Sequence, residues 1–170
     1  MTKRSRGVFV LAVVAGVGYA GFFLSTSLTS QERVLPVGTA YHFCGFYLDC
    51  HLSVAVESVV VTPLAGGGER YTVQVRFASD ARRATMELRH PGATLVDDLG
   101  AQVEPASGPT GARLSPDSSM IAEFIFDART PLVNPRLRMV KGDRIERMAE
   151  VFLIGDPDSF LHPPVTLALR

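Results

Sequence analysis

Both cysteines of the chain and two of its four histidines fall in one run, His42-Phe43-Cys44-Gly45-Phe46-Tyr47-Leu48-Asp49-Cys50-His51. Three chemistries fit these residue types. The first is a disulfide between Cys44 and Cys50, since an even cysteine count in an oxidising compartment points to a bridge. Extended backbone over that interval would hold the two Cα atoms about 20 Å apart, whereas a disulfide needs roughly 4.4–6.8 Å. A bridge therefore predicts a chain reversal between Gly45 and Asp49, with Gly45 placed to start it. Closing so short a loop stabilises by roughly 2 kcal/mol if it introduces no strain.

The second chemistry is a soft-metal site. His42, Cys44, Cys50 and His51 offer two imidazoles and two thiolates, a set that suits zinc or cuprous copper. Against it, the spacing is that of no zinc finger, and an exported thiol pair oxidises readily. The third is covalent haem through Cys50-His51, but that attachment uses C-x-x-C-H and here five residues separate the cysteines. A redox-active disulfide lacks its C-x-x-C spacing for the same reason. The leading expectation is a structural disulfide, with metal binding as the alternative and no other cofactor.

A disulfide needs export, and the N-terminus provides the means. After MTKRSR the chain runs from Gly7 to Leu24 without a charged residue. Carried on to Leu28, this stretch spans about 33 Å as a helix, enough for a bilayer core of about 30 Å. The basic residues 1–6 stay cytoplasmic under the positive-inside rule, so the chain beyond the helix lies outside. The expected organisation is a cytoplasmic tail at 1–6, a membrane anchor or uncleaved signal at 7–28, a linker at 29–40 and an extracytoplasmic domain at 41–170. Small residues at Gly18-Tyr19-Ala20 and Ser25-Thr26-Ser27 leave a cleaved, secreted or periplasmic form open.

Composition narrows the classes further. There are 17 basic and 17 acidic side chains. Setting aside Lys3, Arg4 and Arg6 leaves 14 basic against 17 acidic groups. No nucleic-acid surface is expected from that balance. With 46% apolar residues the chain is too hydrophobic for a disordered one.

Beyond the linker the apolar pattern alternates. Tyr71, Val73, Val75 and Phe77 face one way and Thr72, Gln74 and Arg76 the other; Met120, Ala122, Phe124 and Phe126 repeat the pattern. Valine-rich Leu52 to Thr62 reads as a central strand. Shorter strands are expected at 85–88, 93–96, 101–104, 136–140 and 149–154, with one short helix at 142–148. Gly66-Gly67-Gly68 joins two long strands, Asp97-Asp98-Leu99-Gly100 is a tight reversal, and Pro131 and Pro135 bracket a loop. The fold class is all-β, an antiparallel sandwich of about seven to nine strands behind one N-terminal transmembrane helix.

Between Leu52 and Gly155 the chain resembles the immunoglobulin-like (telokin-like) domains of unknown function on anchored or secreted bacterial proteins. The positions that carry the resemblance are Asp97, Asp98, Gly100, Val103, Pro105, Phe124, Phe126 and Pro131. It implies a fold and an extracytoplasmic location and brings no catalytic residue.

No G-x-S-x-G, H-E-x-x-H or P-loop occurs. Asp97 and Asp98 read as turn residues and not an acid/base pair, because neighbours on a strand face opposite ways. Asp156-Pro157-Asp158-Ser159 lacks the later oxygens of a calcium loop. The expected function is therefore a non-enzymatic, membrane-anchored interaction module of the bacterial cell envelope. Its partners are the lipid bilayer, through the helix, and an envelope protein, with no small-molecule substrate. The alternative is copper or zinc delivery through His42, Cys44, Cys50 and His51.

Overall fold

The computed structural model describes residues 3–29, 32–43, 51–83, 85–88, 92–109, 111–140 and 165–170. One helix, α1 (Lys3–Thr29), precedes the strands β1 (Arg33–Leu35), β2 (Tyr41–Phe43), β3 (Leu52–Pro63), β4 (Glu69–Ser79) and β5 (Met86–Leu88). Then come β6 (Gly92–Val96), β7 (Gln102–Val103), β8 (Ala112–Leu114), β9 (Ser119–Ala128), β10 (Arg136–Val140) and β11 (Val165–Ala168).

Alternation builds the larger faces. On β4, Tyr71, Val73, Val75 and Phe77 are buried while Arg70, Gln74 and Arg76 are not. On β9, Ala122, Phe124, Phe126 and Ala128 are buried while Ile121, Glu123 and Asp127 are exposed. The two strands pair antiparallel from Glu69↔Ala128 to Ala78↔Ser119, and β3 pairs with the other side of β4 along its whole length. With β2 they make a sheet in the order β2-β3-β4-β9. A second sheet, β1-β11-β10-β6-β7, supplies Leu35, Ala93, Leu95, Leu137, Met139, Val165 and Leu167 to the common core. A ribbon of β5 and β8 stands beside them. Two sheets closed over one apolar core make a β-sandwich.

The β3–β4 hairpin turns where the glycines predict. The Leu64 N–H donates to the Gly68 carbonyl at 2.8 Å and the Gly67 N–H to the Leu64 carbonyl at 3.3 Å. Gly66 and Gly67 hold φ of +98° and +87°, which side-chain-bearing residues rarely adopt. Gly68 is required for a different reason: a Cβ there would stand 2.3 Å from the Ala128 carbonyl oxygen.

The structure departs from expectation in several places. Eleven strands occur among the described residues, against about seven to nine, because β1, β2, β8 and β11 were not expected. Each is three or four residues long, too short to display a period. β1 falls inside the stretch expected as a linker at 29–40. It pairs parallel with β11, so the sandwich is not wholly antiparallel. The strand expected at 101–104 contracts to two residues at β7. The expected helix at 142–148 and strand at 149–154 lie outside the described residues.

Along α1 every described large apolar side chain is exposed, from Val8, Phe9 and Leu11 through Val14 and Val17 to Phe22, Leu24 and Leu28. Among the described residues no helix is long and apolar enough to cross a membrane.

Candidate functional site

His42 lies on β2 opposite Ser53, and His51 immediately precedes β3. Phe43 pairs antiparallel with Leu52, so the chain reverses between them, as a Cys44–Cys50 bridge demands. Cys44 and Cys50 themselves lie outside the described residues.

A residue that sequence reasoning missed joins this end of the sheet. The Asp80 carboxylate stands 3.5 Å from His42 Nδ1, and the Asp80 N–H donates to the His51 carbonyl at 2.8 Å. Asp80 follows β4 directly, so the β3–β4 register carries it to the foot of β3. His42 and Asp80 are each 53% exposed, which makes their contact a weak one. Beneath them Tyr41 and Phe43 pack edge to face, ring centroids 4.8 Å apart. Among the described residues no three histidine, cysteine or acidic side chains are close enough together to hold a metal ion.

Asp97 and Asp98 are turn residues, and they do more than turn the chain. The Asp97 carboxylate accepts N–H bonds from Ala101 at 2.7 Å, Leu99 at 3.0 Å and Val133 at 3.3 Å. Burial pushes its pKa up, but the N–H donors of Ala101, Val133, Leu99 and Gly100 outweigh that and hold it below the ordinary carboxylate value. With its lone pairs so occupied, Asp97 is a bracket between the β6–β7 turn and the β9–β10 loop, not a base.

Asp98 accepts from Asn134 Nδ2 at 2.7 Å and pairs with Arg136 at 2.8 Å. Arg136 also reaches Glu32 at 3.3 Å, and the Thr166 hydroxyl donates to Glu32 at 3.2 Å. The chain just after α1 is thereby fastened to the sandwich by side chains as well as by β1.

Two open clefts of about 310 and 360 Å³ flank the segment 127–129. Glu104, Asp127 and Arg129 are their charged lining residues. Asp127 is held by Arg70 through two bonds of 2.7 and 2.8 Å. The Arg70 hydrogen bond lowers its pKa from the ordinary carboxylate value, burial acting the other way. Tyr71, buried beside this region, donates to Glu69; burial first, and that bond second, raise its pKa.

No protein-family model matches the sequence, and no curated protein sequence does. Two solved structures are similar to this chain. The secreted protein MPT63 of Mycobacterium tuberculosis superposes with a TM-score of 0.50 at 11% identity, covering 67% of this chain and 93% of that one. An uncharacterized β-sandwich protein of Clostridium difficile 630 gives 0.47 at 7% identity over 83% of this chain and 96% of its own. The likeness to MPT63 establishes a shared β-sandwich fold.

Proposed function

We propose that this chain is a membrane-anchored, extracytoplasmic interaction module of the bacterial cell envelope, without enzymatic activity and carrying a Cys44–Cys50 disulfide. The observation that carries the reading is the exposure of α1. Its apolar side chains point outward all round, and no strand packs substantially on them among the described residues. A helix with no polar face requires an apolar surrounding. The uncharged sequence from Gly7 to Leu28 includes Phe23, Thr26 and Ser27, whose side chains are not described, and reaches about 33 Å as a helix. A fold shared with a secreted protein, MPT63, supports the extracytoplasmic side.

The finer kinship with telokin-like domains belongs to the same proposal. Asp97 and Gly100 form the turn, Val103 lies on β7, and Phe124 and Phe126 are buried on β9. The disulfide is supported by the β2–β3 reversal.

Two measurements test the reading. Alkaline carbonate should leave the full chain in the membrane pellet; release into the supernatant overturns the anchor. Intact mass of protein purified anaerobically with an alkylating agent should show no alkylated thiol and no bound metal. Two alkylated thiols with stoichiometric copper or zinc would replace this reading by metal delivery through His42, Cys44, Cys50 and His51.

A further inference from the structure

β3 has a covered half and an uncovered one. β2 pairs with Leu52 to Val54, and the Gly38 N–H donates to the Val56 carbonyl at 2.8 Å. A bulge interrupts the strand between Val56 and Ser58. Beyond it β3 continues to Pro63 with β4 on one side and no strand on the other among the described residues.

Antiparallel alternation settles which backbone groups face the open side. Leu64 bonds to Gly68, so Thr62, Val60 and Ser58 also bond inward to β4, opposite Arg70, Thr72 and Gln74. Val59 and Val61 therefore turn their N–H and C=O outward. Among the described residues neither has a partner there. Val60 is 55% exposed and Val61 37% exposed.

Other sheet edges are guarded. Along β9, Ala106 and Ser107 bond to Ile125, and Glu123 and Asp127 put charge on its outer face. β1 and β2 are three residues long and β7 two. An edge without charge, proline or cover is a template for another strand. Only Pro63 limits this one.

We infer that the Ser58–Thr62 edge of β3 pairs antiparallel with the same edge of a second copy. The segment is complementary to itself in one register. With Val60 facing Val60 across a two-fold axis, Val59 of each copy faces Val61 of the other. These are outward-turned residues, so four backbone hydrogen bonds form. Ser58, whose hydroxyl donates to Gln74 Oε1 at 2.9 Å, then faces Thr62, and no like charges meet. Centring on Val61 would place Val59 against Pro63, which has no N–H to give. Centring on Val59 would place Val61 against Glu57, beside the bulge.

So short an edge buries less than the roughly 1,200 Å² of a stable interface. Two copies held in one membrane meet at a high effective concentration, which makes up the difference. The inference names a partner for the module proposed above and uses that reading only for the tether.

The test is disulfide cross-linking of the full chain, both in native membranes and purified in detergent at high concentration. Facing residues of a non-hydrogen-bonded pair stand about 4.5 Å apart at Cα, within disulfide reach. Val60→Cys should give a covalent dimer under mild oxidation. Ser58→Cys, whose two copies would stand about 13 Å apart, and the wild type should give several-fold less. Adding Val61→Pro to Val60→Cys should abolish the dimer while leaving circular dichroism unchanged, because the N–H it removes faces away from β4.

Equal cross-linking at 58 and 60, no dimer at 60, persistence through Val61→Pro, or an adduct with a different protein would each overturn the pairing. Carbonate extraction of the same membranes reports the anchor separately. Released protein that still cross-links loses the anchor and keeps the pairing; retained protein that does not cross-link does the reverse.

Discussion

The two halves of β3 share a strand, a partner in β4 and a valine-rich sequence, yet they live in different surroundings. From Leu52 to Val56 every residue is buried. From Glu57 to Pro63 none is, and Val60 stands 55% exposed. Residue type does not separate them. What separates them is the edge: β2 and the Gly38 N–H bond to the first half, whereas no described strand pairs with that side of the second, where only Ser58 and Val59 are half-buried. Valine marks a residue suited to a pleated surface, whether or not that surface becomes interior.

One substitution made at two places breaks the comparison most sharply. Val56→Asp puts a carboxylate where the side chain is 1% exposed and should cost about 4 kcal/mol or more, enough to prevent folding. Val60→Asp should change stability by less than about 0.5 kcal/mol. Urea unfolding followed by circular dichroism measures both, and similar losses would mean the second half is covered after all.

A smaller effect comes from the turn that ends the open half. Gly68→Ala pushes a methyl into the Ala128 carbonyl and should cost about 1–3 kcal/mol. It should show as a lower denaturation midpoint with an unchanged slope.

Acid gives the gentlest contrast, between the Asp97 turn and the open half of β3. The folded-state pKa of Asp97 lies below its unfolded value of about 3.9. Its stabilising contribution is therefore complete above that value and is lost as pH falls through the depressed folded one. Thermal stability should decline below about pH 4, and Asp97→Asn should flatten that decline and lower stability at neutral pH. Between Ser58 and Pro63 no group titrates. Cross-linking through position 60, driven there by a pH-independent oxidant, should stay level for as long as the protein remains folded.

How much of this was legible in the sequence depends on the range over which each signal acts. β4 and β9 were legible because the sustained alternation from Tyr71 to Phe77 and from Met120 to Phe126 has few other readings. The Gly66-Gly67-Gly68 turn was legible because its chemistry is local. β11 was not, although Val165, Leu167 and Leu169 alternate into the core, because the run is short and comes after two prolines. Asp97 was legible as a turn residue but not as a bracket, since the Val133 N–H that it binds lies 36 residues away. Asp80 beside His42 depends on the pairing of β2, β3 and β4 together, and no local spacing contains it. The proposed bridge between Cys44 and Cys50 rests on residue type and compartment, joined now by the chain reversal it requires.

The pairing of β1 with β11 sets an order in time. β11 lies between β1 and β10, so the sheet has a gap at its second position until residues 165–168 have been synthesised. Until then β1 has no strand beside it in that sheet, and Leu35 and Leu137 lack the neighbour that Leu167 provides. A strand made early must wait for one made more than a hundred residues later. Synthesis of every strand of this sheet thus precedes its closure, and α1 leaves the ribosome well before the sheet it leads into is complete.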